Sequence, residues 1–374
     1  MIRDEPHGAI FVENRAALTD QLNSEFGEAD RILVVASDRA RKSEAIPPKV
    51  LSGRSVWWFT DFTNNPSLSS ACAAAALVSA FRPSVVVGLG GGSAIDVAKA
   101  ARVLPPDIAS ALKMVRSGIP LRQVQSRGDT PRIVAIPTLS GSGAEVTQFA
   151  TTFHNGRKIS VDRTEVRPDT AVVDPGLAAT APHSATSAAA LDAFCHAIES
   201  AWSRSATAAS RGHSARALQH LSKFRWRSDG PYSHEDRCAL AAGAISAGLA
   251  INLTRTTAAH GCSYLLTVRH AIPHGVACAL NMMWVARTNS KASAMEPEAV
   301  AIVEESLGIA ITELSEFFRV RLRSADWPTH LGDYGLSRSD LGIIAADACH
   351  QSRLLNNPVE LTVADIMWGL GTIL

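Results

Sequence analysis

Asp192 and His196, in Leu191-Asp192-Ala-Phe-Cys195-His196, stand four residues apart, so on a helix both project from one face and could share a metal ion. Two further histidines, His260 and His274, are each followed by glycine. One carboxylate and three imidazoles suit a divalent ion such as Fe2+ or Zn2+ and are too rich in nitrogen for Mg2+ or Ca2+. The chain has 12 histidines, however, and any one alone is more often a packing or surface residue. Asp192 with His196 could also be a simple ion pair along a helix. Spacing by itself leaves both readings open.

A different chemistry is written between residues 85 and 102. A β-branched run, Val85-Val-Val, leads into Gly88-Leu-Gly90-Gly91-Gly92-Ser93-Ala-Ile-Asp96 and then a helical run from Val97. Glycines between a buried strand and a helix let backbone N–H groups approach a phosphate, and the helix N-terminus adds about half a positive charge. Gly90, Gly91, Gly92, Ser93 and Asp96 are therefore candidates for holding a nucleotide pyrophosphate. The spacing departs from GxGxxG, because Ser93 stands where the third glycine would. Ser93 and Asp96 also read as a helix cap with a capping-box partner, which is compatible with anion binding at the same N–H groups. Asp38, after the run 31–36, stands where an acid contacts an adenosine ribose, while Arg39 beside it could meet a 2′-phosphate. NADH and NADPH thus both remain, with NADH favoured. A second turn, Pro137-Thr138-Leu139-Ser140-Gly141-Ser142-Gly143, offers Thr138, Leu139 and Ser142 for a diphosphate or ribose, or is an ordinary turn.

The elements that must position these residues change character along the chain. Continuous apolar runs at 31–36, 85–89, 133–136 and 171–174 alternate with helical patterns, as buried parallel strands do. After residue 181 every long segment has helical character. The expected architecture is an α/β domain over residues 1–181 and an all-helical domain over 182–374. Residues 140–170 read as a loop or hairpin excursion, and 223–236 as an exposed loop between helices. The apolar stretch 239–253 is broken by Ser246 and reads as a buried helix, not a membrane span.

Composition narrows the classes further. The net charge of +1 offers no field for nucleic acid or an anionic membrane, and 46% hydrophobic residues exclude disorder as the main state. The start, MIRDEPHGAIF, lacks the basic-then-apolar pattern of a signal peptide, so a cytoplasmic protein is expected. Six dispersed cysteines without a CxxC pair read mostly as buried small hydrophobes.

Taken together, Gly90-Gly91-Gly92-Ser93-Ala-Ile-Asp96, Pro137-Thr138 through Gly143-Ala-Glu145-Val146-Thr147, Pro168-Asp169 through Asp174-Pro175, Asp192 with His196, His260 and His274 resemble the iron-containing (group III) alcohol dehydrogenases over nearly the whole chain. The resemblance implies a Rossmann-like α/β nucleotide-binding domain followed by an all-α metal-binding domain, an architecture shared with dehydroquinate synthase, with the active site between them. It implies Asp192, His196, His260 and His274 as ligands of Fe2+, or of Zn2+, and a homodimer. It also places Asn65 at the nucleotide and Lys158 beside the nicotinamide ribose. The implied chemistry is reduction of an aldehyde whose oxygen the metal polarises while the nicotinamide gives a hydride.

A narrower likeness lies in Trp58-Phe59-Thr-Asp61-Phe62-Thr-Asn-Asn65-Pro66, Arg157-Lys158-Ile-Ser160-Val-Asp162 and the string from Ile251 to Tyr264. These resemble the phosphonoacetaldehyde reductases, which implies a small anionic aldehyde and a local basic pocket. Arg255, Lys158 and Arg269 flank the ligand strings, and Arg269 rests on that proximity alone. Many members of the family carry a proton-relaying histidine four residues after the third ligand. Tyr264 stands there in this chain, leaving a phenol, a ribose hydroxyl or water to deliver the proton. Two rival readings share the architecture: a dehydrogenase for a neutral or hydroxy-acid substrate, and a redox-neutral cyclase like dehydroquinate synthase, which usually has a Glu/His/His metal set.

Overall fold

The computed structural model describes residues 9–117, 130–291 and 294–374, so the acidic start at residues 1–8 falls outside it. Two compact units emerge, Met1–Leu139 with Ala144–Ala179 and Ser140–Gly143 with Thr180–Leu374.

The first unit carries strands β1 (Ala9–Phe11), β2 (Arg31–Ala36), β3 (Ser55–Phe59), β4 (Val85–Gly90), β5 (Arg132–Pro137), β6 (Phe149–His154), β7 (Arg157–Asp162) and β8 (Thr170–Val173). Six of them form a parallel sheet in the order β1-β8-β5-β4-β2-β3. Every residue of β4 is buried, as is all of β2 and β5 beyond the first residue. Helices on both faces explain why these strands read as unbroken apolar runs instead of alternating ones. The short edge strands β1 and β3 lack that signal, and β3 alternates between exposed and half-buried positions. The expected hairpin is β6–β7, which is antiparallel and turns on Asn155-Gly156, both with positive φ (49° and 69°).

Strand order reverses at β2, since β3 lies on one side of it and β4 on the other. The carboxyl ends of β2 and β4 therefore flank the position at which open α/β sheets bind ligands. Ala36 pairs with Leu89, so Asp38 and Gly91 each lie two residues beyond the same rung of the ladder.

The second unit is helical. Its central helix, His183–Trp202, has 16 of 20 residues buried and packs against Ala208–Leu221, His234–Thr254 and His274–Asn289. A helix buried on all sides must satisfy whatever polar groups it carries from within the core. His234–Thr254 is the one described helix long and apolar enough to cross a membrane, but 67% of that stretch is buried inside the protein, as a core helix is. The expected loop at 223–236 joins two helices but ends at Ser233, where the helix His234–Thr254 begins, and Phe224 and Tyr232 within it are buried, with their rings stacked 4.7 Å apart. Aromatic residues in a charged segment were here packing anchors. All six cysteines are free thiols, four of them buried.

Candidate functional site

In the first unit the glycine turn is built for close backbone approach. Gly90 has φ +148°, and a Cβ there would lie 2.9 Å from that of Ala94. The following helix spans Gly92–Ala101 with Gly91 at its N-cap and no side chain capping it. The helix begins five residues earlier than the run from Val97 suggests, which corrects the capping expectation: Ser93 lies inside the first turn. Asp96 does not complete a capping box either. Its Oδ2 accepts the Thr151 N–H of β6 at 3.0 Å, and its Oδ1 lies 3.5 Å from Lys99 Nζ.

Lys99, unremarked in the sequence, is fully buried and donates to Ala144 O at 2.9 Å and Thr147 Oγ1 at 3.1 Å. Burial pushes the Asp96 carboxyl up, and Lys99, the Thr151 N–H and Lys158 pull against it. Asp96 and Lys99 thus tie the glycine-turn helix to the segment 144–147 and to the hairpin that bears Lys158. Thr138 N–H donates to Gly90 O at 3.0 Å, joining the two turns, and Phe153 N–H donates to Pro66 O at 2.9 Å, joining the Asn65 loop to β6. Asn65 is exposed with φ +56°, Asp38 and Arg39 are exposed at the start of a short helix, and Leu139 is half-buried. Ser142 is half-buried within Ser140–Gly143, the segment that belongs to the second unit.

In the second unit three helices bring donors together. Asp192 Oδ1 lies 3.2 Å from His260 Nε2, 3.7 Å from His196 Nε2 and 3.9 Å from His274 Nε2. The His196 and His260 rings stack at 4.5 Å, and His260 meets His274 edge-on at 5.3 Å. One set of ligand atoms, from Asp192, His260, His274 and Cys278, lies mutually within 4.8 Å. His196 joins through Asp192, and its Nδ1 is buried with no hydrogen-bond partner among the described residues. His274 is 35% exposed where its neighbours are buried, so the cluster opens on that side.

Glycine makes this convergence sterically feasible. A Cβ on Gly275 would sit 1.9 Å from Ala188 O and 2.9 Å from Asp192 N, so only glycine lets the His274 helix reach the Asp192 helix. Gly261 faces a different neighbour, its Cβ position lying 2.3 Å from the flexible end of Leu354, outside the helices that carry the donors.

Two residues of the site were missed by sequence reasoning. Glu199 lies one turn beyond His196, fully buried, and hydrogen-bonds His260 Nδ1. It also accepts from Thr257 Oγ1 and the Ala259 N–H, both at 2.8 Å. Trp202 Nε1–H donates to Thr257 Oγ1 at 3.1 Å. Fixing Nδ1 in this way turns Nε2 toward Asp192, the arrangement that orients an imidazole for a metal. The other missed residue, Cys278, follows His274 by four, the very spacing that singled out Asp192 and His196.

The electrostatics follow from burial. Burial alone would raise the Asp192 carboxyl, but His196, His274 and His260 hold it well below the carboxylate range. Glu199 is likewise pushed up by burial and brought below its usual value by His260 and Thr257. Burial dominates at His196 and brings it down to about 4 against the pull of Asp192. At His260 burial acts downward and is outweighed by Cys278 and Glu199, which hold it above an ordinary imidazole. A buried carboxylate ringed by imidazoles and a thiol is the chemistry of a transition-metal site and not of Mg2+ or Ca2+.

Of the remaining candidates, Tyr264 is buried with its ring nearly parallel to His274 at 6.3 Å. Arg255 ends the helix His234–Thr254 with φ +65° and ψ −178°, a strained backbone for a residue with a side chain. Its Nη1 donates to Asn252 O at 2.5 Å. Arg269 is exposed at the end of its helix, and nothing in the structure gives it a role.

Residues 6–175 match the family model of iron-containing alcohol dehydrogenases, and residues 186–371 match that of the C-terminal region of the same family. Phosphonoacetaldehyde reductase of Streptomyces viridochromogenes is 34% identical over 309 residues, covering 78% of this chain and 76% of that one. Sulfoacetaldehyde reductase of Bilophila wadsworthia is 29% identical over 298 residues, covering 74% and 73%. Among solved structures, sulfoacetaldehyde reductase from Bifidobacterium kashiwanohense in complex with NAD+ superposes with a TM-score of 0.85 at 27% identity, covering 100% of this chain and 99% of that one.

Proposed function

The chain belongs to the iron-containing alcohol dehydrogenase family, and from that premise we propose that it reduces a small anionic aldehyde, phosphonoacetaldehyde or a close analogue, to its primary alcohol with NADH or NADPH. The observation that carries this reading is the convergence of Asp192, His196, His260 and His274 on one buried point open beside His274. Bound there, a divalent metal supplies Lewis acidity toward a carbonyl oxygen and a nicotinamide supplies the hydride.

The residues have distinct tasks in this proposal. Asp192 contributes the negative charge that the ion requires, and three imidazoles leave coordination positions for a substrate. Glu199 keeps the His260 proton on Nδ1 so that Nε2 is available. Tyr264, its ring 6.3 Å from that of His274 and nearly parallel to it, is the residue assigned to pass a proton from its Oη to the product oxygen. In the α/β unit, the N–H groups that open the helix Gly92–Ala101 hold the pyrophosphate, Asp38 the adenosine ribose and Lys158 the nicotinamide ribose.

Arg255 supplies the anion recognition. A guanidinium presents a planar fork of donors matched to phosphonate or sulfonate oxygens, and two of the relatives named above carry an anionic two-carbon aldehyde in their names. Arg255→Ala is expected to lower kcat/KM for phosphonoacetaldehyde by about 10²-fold, the loss of one charge-assisted pairing of roughly 3 kcal/mol. Acetaldehyde turnover should fall less than about threefold. Steady-state kinetics on both aldehydes checks this, and equal losses would remove Arg255 from substrate binding.

Glu199→Gln is a gentler probe of the metal reading. The amide keeps the shape but not the charge facing His260 Nδ1. Metal affinity is expected to fall by about 10–100-fold, as for other partners of metal-bound histidines, measured by competition with a chromophoric chelator. Unchanged affinity would mean that Glu199 serves the core alone.

A further inference from the structure

We propose that Cys278 is itself a metal ligand, giving the centre a thiolate that borderline-soft divalent ions such as Zn2+ and Co2+ take up. The inference rests on the metal reading above and concerns a residue that reading does not use. Cys278 sits one helical turn after His274 on the helix His274–Asn289, fully buried, so both side chains leave the same face. Its Sγ lies 3.8 Å from His274 Nε2 and belongs to the set of four donors within 4.8 Å of one another.

Those separations fit an ion. Zn–S bonds of about 2.3 Å and Zn–N bonds of about 2.0–2.1 Å in a tetrahedron space the donors roughly 3.3–3.8 Å apart. Asp192 Oδ1 to His260 Nε2 is 3.2 Å, Asp192 Oδ1 to His274 Nε2 is 3.9 Å, and His274 Nε2 to Cys278 Sγ is 3.8 Å. The donors are thus already near the spacing that an ion would impose. His196 Nε2, at 3.7 Å from Asp192 Oδ1, competes for the same ion. The protein therefore offers two donor sets that share Asp192, His260 and His274, one completed by an imidazole and one by a thiolate. Softness of the metal selects between them, the thiolate set favouring Zn2+ over Fe2+. On binding, the Sγ–H bond breaks, the proton goes to solvent and the Sγ–metal bond forms, with no change of oxidation state. Cys195, equally buried on the Asp192 helix, is outside the four-donor set and serves as the control.

Full-length metal-free protein is loaded with Co2+ and its absorption recorded. The wild-type protein is expected to show the visible bands of protein-bound cobalt together with a sulfur-to-cobalt charge-transfer band in the near ultraviolet. Cys278→Ser should lose the charge-transfer band and keep the visible ones, while Cys195→Ser keeps both. Zn2+ affinity of Cys278→Ser should fall at least about tenfold with a smaller change for Fe2+. X-ray absorption of the unmutated Zn2+-loaded protein gives a readout independent of whether variants fold, with a sulfur scatterer expected at about 2.3 Å. Visible bands without a charge-transfer band, or a zinc shell of nitrogen and oxygen alone, would overturn the thiolate while leaving the metal site standing. Failure to bind cobalt or zinc at all would overturn both.

Discussion

His274→Ala is expected to yield a folded protein that retains little iron and turns over about 10³-fold or more slowly, since it removes a proposed ligand and with it several kcal/mol of Lewis-acid stabilisation. Of the donors, His274 is the cleanest to delete. It is 35% exposed, so its loss leaves a wettable gap. His260→Ala should abolish activity equally but at a structural cost, because it strands the fully buried Glu199 without the imidazole that compensates its charge. Breaking such a buried pair costs about 3–5 kcal/mol. Metal analysis, turnover and thermal denaturation of the two variants side by side therefore separate ligation from packing. Both should lose metal, and His260→Ala alone should melt much earlier. Wild-type metal content in His274→Ala would contradict its assignment as a ligand.

The second large effect is expected at a residue with no side chain. Gly275→Ala places a methyl group 1.9 Å from the Ala188 carbonyl oxygen, a main-chain atom that cannot rotate away. Relief requires the two helices to part by about 1 Å, and overpacking of this kind costs about 1–3 kcal/mol or more. The same displacement draws His274 from Asp192, and a misplacement of 1 Å at a reacting centre costs about 10²-fold in rate. Gly212→Ala is the control, since its Cβ position has nothing within 4 Å and lies in a helix. It should stabilise by about 0.5–1 kcal/mol. Melting temperature, metal content and kcat measured on both variants check this, and an unperturbed Gly275→Ala protein would show that the glycine is not what brings the helices together.

Gly275 also shows what the sequence could and could not disclose. The glycines after His260 and His274 were visible as a pattern, but the reason for Gly275, backbone contact with Ala188, exists only in three dimensions. Buried strands β2, β4, β5 and β8 were legible because both faces are covered and their apolar runs are continuous. The edge strands β1 and β3 were not, being short and only partly buried. Asp192 and His196 were found by their i,i+4 helical spacing, and the same spacing would have found Cys278 after His274, as the neighbouring i,i+3 spacing would have found Glu199 after His196. They were passed over because cysteine and glutamate are common in helices for other reasons. Asp96 was misread for a related cause: a local capping partner was the simplest reading of Ser93-Ala-Ile-Asp96, whereas its Oδ2 is satisfied by the Thr151 N–H of β6, 55 residues away.

A catalytic metal site around Asp192 that serves an anionic aldehyde makes turnover depend both on the metal and on the substrate's charge. Metal-free protein is reloaded with Fe2+ under anaerobic conditions, and NADH and NADPH oxidation is followed by absorbance with phosphonoacetaldehyde and with acetaldehyde. Oxidation that appears only on metal addition, stoichiometric with alcohol formed and faster for phosphonoacetaldehyde by about 10²-fold, is the expected result. Full activity in the metal-free protein, or no oxidation of either nicotinamide with any aldehyde, would contradict it.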